Sequence, residues 1–72
     1  MVFIEVDQVF EEDITMKIMI RLDLITEYYP SYISNCTTIV RFNEPPIDIK
    51  ESYSDFTVRI SKIPLVREMN GY

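Results

Sequence analysis

The sequence predicts an α+β, β-rich fold: a small antiparallel sheet or partly open five-stranded barrel with one short C-terminal helix. Ile14, Met16, Ile18, Ile20, Leu22 and Leu24 stand on strictly alternate positions, with mostly polar residues between them. A repeat of two is the period of a strand with one buried face, and a helix of 3.6 residues per turn cannot satisfy it. Thr37-Thr38-Ile39-Val40-Arg41-Phe42 is a β-branched and aromatic run suited to a pleated surface. Tyr53, Phe56, Ile60 and Ile63 recur instead at spacings of three and four, as one stripe of a helix would.

The first strand covers about residues 2–10, where Val2, Ile4 and Val6 alternate with Phe3, Glu5 and Asp7. Glu11-Glu12-Asp13 is a polar break, and the alternating run follows it, so the two strands read as an antiparallel hairpin. No glycine is present there, which favours a type I turn or a longer loop over a tight turn needing positive φ. The alternating run is placed at the centre of the sheet with its Ile14–Leu24 face buried. It exceeds the usual strand length of about five or six residues, so a bend is expected near Arg21–Asp23. Ile25 to Tyr29 then forms a third strand stopped by Pro30, Thr37–Phe42 a fourth, and Ile47-Asp48-Ile49-Lys50 a short fifth after Pro45-Pro46. Glu51 to Ile63 admits two readings. Phe56, Val58 and Ile60 fit a strand, and Thr57, Val58 and Ile60 are poor helix formers. The apolar stripe fits a helix over 52–62, with Ser52 as its cap, Asp55 in its first turn and Pro64 at its end.

Seventy-two residues with 47% apolar content are enough for a single small domain, 1–72, near the size where burial only just exceeds chain entropy. Such β-rich domains gain stability by closing a barrel or by oligomerising, so a homo-oligomer is among the expected states. The opening residues lack the basic start and apolar run of a signal peptide, and no apolar stretch approaches the roughly 20 residues that span a bilayer. Cys36 has no second cysteine to pair with, which points to a reducing, cytoplasmic setting and to a small buried side chain.

The same composition excludes most chemistry. Without histidine, no Ser-His-Asp or Cys-His centre can form within the chain, and one thiol cannot build a zinc site. Gly71 is the lone glycine, so no phosphate-cradling loop exists. Glu11, Glu12 and Asp13 match no calcium-loop spacing. The expectation is a protein that is not an enzyme, with no catalytic residues, no metal and no cofactor.

From about residue 17 to residue 63 the chain resembles small flagellar-operon proteins of the FlbD type and similar short bacterial and phage-encoded proteins. Leu22-Asp23-Leu24-Ile25, Thr38-Ile39-Val40-Arg41-Phe42 and Ile47-Asp48-Ile49-Lys50-Glu51-Ser52-Tyr53-Ser54-Asp55-Phe56 carry the resemblance. It implies a five-stranded barrel-like sheet closed by one helix, and it favours the helical reading of 52–62. The glycine-bearing turns of that pattern are replaced here by Glu11-Glu12-Asp13 and Glu44-Pro45-Pro46, and the helix is less acidic. Only architecture carries over, and no functional residue does.

What remains is binding. Residues 1–30 hold seven acids against two bases, a balance of −5 that equals the net charge of the whole chain. Such a surface repels phosphate backbones, so no direct nucleic-acid partner is expected, and no membrane partner is expected without an apolar span; it attracts a basic protein surface instead. The candidate partner-binding residues are Glu5, Asp7, Glu11, Glu12 and Asp13, with Tyr28, Tyr29 and Tyr32 as anchors. Tyrosines around Pro30 supply rigid amphipathic contact area of the kind found in interface hot spots, although alternate tyrosines could equally fill the core. Leu65-Val66 and the tail to Tyr72 are available to dock on the domain or on a partner. The expected function is protein–protein interaction, as a phage or mobile-element inhibitor of a host nucleic-acid enzyme. The alternative is a regulatory or structural module of a motility or virion assembly.

Overall fold

The computed structural model describes residues 1–12 and 14–63. In chain order it contains β1 (Phe3–Glu11), β2 (Ile14–Arg21), a 3-10 turn (Leu22–Leu24), β3 (Ile25–Pro30), β4 (Thr37–Arg41), β5 (Ile47–Ile49) and α1 (Tyr53–Ser61). The strands form one sheet in the order β2-β1-β5-β4-β3, with every neighbouring pair antiparallel. The α+β, β-rich class is therefore as the sequence indicates, with one short helix after the strands among the described residues. The sheet is not closed into a barrel. Asp13, Pro64 with its expected role as helix stop, Leu65-Val66 and the tail to Tyr72 lie outside the described residues.

The alternating apolar run ends in a bend at the expected place, because Leu22–Leu24 is the 3-10 turn. The turn sits between two ladders. Leu22 N–H donates to Val2 C=O at 2.9 Å, prolonging β1–β2, and Phe42 N–H donates to Leu24 C=O at 2.8 Å, prolonging β3–β4. Successive antiparallel pairings give β2 and β3 the same direction, so the chain passes from one to the other without reversing. Arg21 and Ile25 are separated by a chain length of at most about 14 Å. In a flat five-stranded sheet the outer strands would lie about 19 Å apart. The sheet must curl to bring them together.

β2 is an edge strand, not the central one expected from its pattern. The physical reason is that a segment continuing in line into β3 offers no return strand to pair with β2. β1 takes the inner place because β5 comes back to it at Gln8↔Ile49, supported by Lys50 N–H donating to Asp7 C=O at 2.8 Å. Burial of the β2 face is correspondingly graded. Ile20 pairs with Ile4 and is only 3% exposed, and Ile18 pairs with Val6 and is half-buried. Further out Met16 and Ile14 are 57% and 53% exposed. The hairpin extends beyond the core that covers its base.

That core joins Ile4, Val6, Ile20, Leu22, Ile39, Ile47, Ile49 and Phe56. Phe56, fully buried, is the contribution of α1. The helix starts at Ser52, whose Oγ accepts from Asp55 N–H at 3.2 Å, so the cap reading holds and the strand alternative for this segment falls. Thr37 is a buried polar residue, and its hydroxyl is satisfied by donating to Glu51 C=O at 2.8 Å. That bond ties the start of β4 to the entry of α1. Arg59 in the last turn reaches back to Glu51 at 3.1 Å and lies over the Phe56 ring at 5.8 Å. The scarcity of glycine is met by asparagine: Asn35 and Asn43 take φ of 61° and 62° before and after β4. Asparagine tolerates the left-handed region because its short polar side chain can bond locally.

Chemical denaturation followed by circular dichroism checks this description. Ile20→Asp should abolish folding, because an unpaired buried charge costs several kcal/mol against a total of roughly 5–15 kcal/mol. Met16→Asp, on the same face but exposed in the single chain, should change the stability of the monomer by about 0.5 kcal/mol or less. For the helix, Ser52→Ala should cost about 1 kcal/mol and Arg59→Pro about 3 kcal/mol.

Candidate functional site

The distal hairpin and the loop between β3 and β4 converge on one region. The loop is braced internally: Ser31 N–H donates to Cys36 C=O at 3.0 Å, Cys36 N–H to Ile33 C=O at 3.2 Å, and Ile33 N–H to Ser31 Oγ at 3.0 Å. These bonds and the left-handed Asn35 hold a tight reversal that leaves Tyr32 93% exposed. A cleft of about 360 Å³ lies between the loop and the hairpin. Val9, Phe10, Glu11 and Glu12 line it from the hairpin, Tyr32, Ile33 and Ser34 from the loop, and Cys36, Asp48 and Lys50 from the adjoining β4 and β5 region. Asp48 is held in place by a hydrogen bond from the Thr38 hydroxyl. Cys36 is buried, as its isolation in the sequence suggested.

The sequence-derived residues divide among different places. Glu11, Glu12 and Tyr32 come together at the cleft. Tyr29 is exposed and pairs with Thr38, which pairs with Asp48, so it shares a sheet face with the cleft two strands away. Glu5 and Asp7 lie further down β1. Asp7 is engaged by Lys17 at 3.0 Å across the hairpin, and that bond raises the Lys17 ammonium above its usual range. Arg21 grips Asp23 through two bonds of 2.8 and 3.2 Å, which holds the Asp23 carboxyl below the ordinary aspartate range. These pairs satisfy much of the charge on the proximal hairpin, whereas no salt bridge engages Glu11 or Glu12 among the described residues.

Tyr28 is occupied inside the domain. Its ring meets Phe56 edge-on at 5.1 Å and Tyr53 at 5.4 Å, and its hydroxyl is 3.1 Å from the Thr57 hydroxyl. Alternation along β3 explains the contrast: Tyr28 turns towards α1, and Tyr29 turns to the opposite face.

The side chains that the sequence places on the buried face of the alternating run but the structure leaves open are Ile14 and Met16, both more than half exposed. Their signal was present in the length of the alternating run, which is more than so small a sheet can cover. Among the described residues no three carboxylate, thiol or imidazole groups converge as a metal site requires. The region offers an apolar and aromatic surface with an acidic tip, which suits binding.

Comparisons with known protein families, with curated proteins and with solved structures find no match for this chain.

The two roles of tyrosine separate in stability measurements. Tyr28→Phe should cost about 1 kcal/mol, the net worth of a partly buried hydrogen bond. Tyr32→Ala should stay within about 0.5 kcal/mol of wild type.

Proposed function

We propose that this chain is a non-catalytic binding protein that engages a basic protein surface through the distal hairpin and the Tyr32 loop. The observation that carries the reading is the juxtaposition of Glu11 and Glu12 with the outstanding Tyr32, beside the exposed Phe10. Carboxylates on the rim speed and orient encounter, while an aromatic side chain that becomes buried on contact supplies most of the affinity. Asp13, next to Glu12 in the sequence, adds a further acid, and Tyr29 offers a second anchor on the face it shares with the cleft.

The partner chemistry that fits is the cationic groove with which an enzyme holds nucleic acid, so the protein acts as a stoichiometric inhibitor of such an enzyme. The origin consistent with that role is a phage or mobile element. A cytoplasmic setting fits the unpaired Cys36. No helix among the described residues is long and apolar enough to cross a membrane. The second reading is a module of a larger assembly, and the exposed Ile14 and Met16 favour it, because apolar contacts would then dominate over charge.

Capture of partners from the native host with wild type and with the Glu11→Lys/Glu12→Lys variant, across low and high salt, separates the two. The inhibitor reading expects the variant to lose the partner at low salt and wild-type capture to weaken as salt rises. Tyr32→Ala should weaken the same complex by roughly tenfold or more, about 1.4 kcal/mol per tenfold, mainly through faster dissociation. Equal capture by wild type and charge-reversed variant at every salt concentration would reject the acidic surface and leave the assembly module.

A further inference from the structure

Among the described residues the two outer strands, β2 and β3, each have an unpaired edge, and the two edges are built differently. β3 carries a register shift between Ile25 and Glu27, an acidic Glu27 and a terminal Pro30. Bulges, charges and prolines are the devices that keep a strand edge from pairing with another chain. Over Ile14–Arg21, β2 has no proline, and its two charges are engaged elsewhere: the Lys17 ammonium is drawn away from the edge to Asp7 on β1, and Arg21 is tied to Asp23. The irregularity opposite its start lies in β1, between Val9 and Glu11.

The hydrogen-bonding parity of β2 follows from its ladder. Leu22 N–H donates to Val2 C=O, so the even-numbered residues of β2 point their backbone groups towards β1. Thr15, Lys17, Met19 and Arg21 therefore direct N–H and C=O groups to the open edge. We propose that this edge pairs, antiparallel and about a two-fold axis, with β2 of a second copy of this chain, in the register that places Ile18 opposite Ile18. That register brings Lys17 opposite Met19 and Thr15 opposite Arg21 as hydrogen-bonded pairs. It sets Met16 opposite Ile20 and Ile14 opposite Leu22 as the closer, non-hydrogen-bonded pairs.

Three features select a second copy as the occupant. All the opposed residues on one face are apolar, so the exposed Met16 and Ile14 of each chain continue the buried row of the other. No like charges stand directly opposite each other, since Lys17 faces methionine and Arg21, tied to Asp23, faces threonine. The neighbouring register, centred on Lys17, would oppose the two lysines and is disfavoured. The pairing is isologous and closes on itself as a dimer, which leaves the cleft at Tyr32 outside the pairing edge. It does not depend on the identity of any other partner.

Disulfide trapping reads the register, and sedimentation reads the mass. Ile18→Cys places two thiols across a non-hydrogen-bonded pair, within disulfide reach, whereas Lys17→Cys places them on a diagonal of about 7–8 Å. Under mild oxidation Ile18→Cys should form covalent dimer roughly tenfold or more faster than Lys17→Cys, against the wild-type background set by the buried Cys36. Met19→Pro removes a donor at the free edge and none from the β1 ladder, so it should keep the monomer's circular dichroism and shift the sedimenting species from dimer to monomer. A wild-type chain that stays monomeric at high concentration overturns the proposal. So does a dimer that survives Met19→Pro, or equal crosslinking of the two cysteine variants. The proline variant tests the edge without Ile18→Cys, should that substitution perturb the core.

Discussion

The sheet depends on a constraint of direction. Five strands in a ring cannot all run antiparallel to their neighbours, since alternating directions around an odd ring always leaves one like-directed pair. Here that pair is β2 and β3, which are joined by only the three residues Leu22–Leu24. Parallel neighbours ordinarily need a crossover of a dozen or more residues. No ladder forms between them, and the sheet curls towards closure without reaching it. The 3-10 turn makes this workable by giving one hydrogen bond to each flanking ladder, so the chain changes partners from β1 to β4 within a few residues.

An open, curled sheet needs something to cover its concave face, and α1 supplies Phe56. The fully buried ring contacts Tyr28 from β3, and the core cluster joins it to Ile39 of β4, Ile49 of β5 and the β1–β2 base. The helix is fixed at both ends. Ser52 caps its start, Thr37 anchors its entry through Glu51, and Arg59 folds back to Glu51 from its last turn. A nine-residue helix is too short to be stable alone, so its order comes from this packing. In turn, one short helix covers only part of the sheet, and the distal hairpin projects beyond it.

That uncovered part is where the exposed apolar side chains and the unpaired acids gather. The proximal hairpin has its charges paired, Asp7 with Lys17 and Asp23 with Arg21. The distal part combines exposed apolar side chains with Glu11 and Glu12, next to a braced loop that presents Tyr32. Surface and edge belong to the same hairpin but use different groups: side chains of the tip and loop for one, backbone of β2 for the other. The proposed dimer edge and the proposed partner surface therefore do not compete for the same groups.

Local signals in the sequence determined much of this. The two-residue period of Ile14–Ile20 set a strand, Ser52 with Asp55 and the Tyr53–Phe56–Ile60 stripe set a capped helix, and Pro30 and Pro45-Pro46 set boundaries. Each rests on the geometry of neighbouring residues, which the chain carries with it. The sequence also showed that the acids are concentrated at the N-terminal end and that histidine is absent. Only the tertiary structure decided which strand lies at the centre, because pairing order depends on which segments return to which. Alternation says that one face of a strand is apolar; it does not say how much of that face a partner covers. For that reason Ile20 and Met16, identical in pattern, end at opposite extremes of exposure. The same holds for the tyrosines. Tyr28 and Tyr29 are adjacent and chemically equal, and it is the placement of α1 on one side of β3 that makes the first a core residue and leaves the second on the surface.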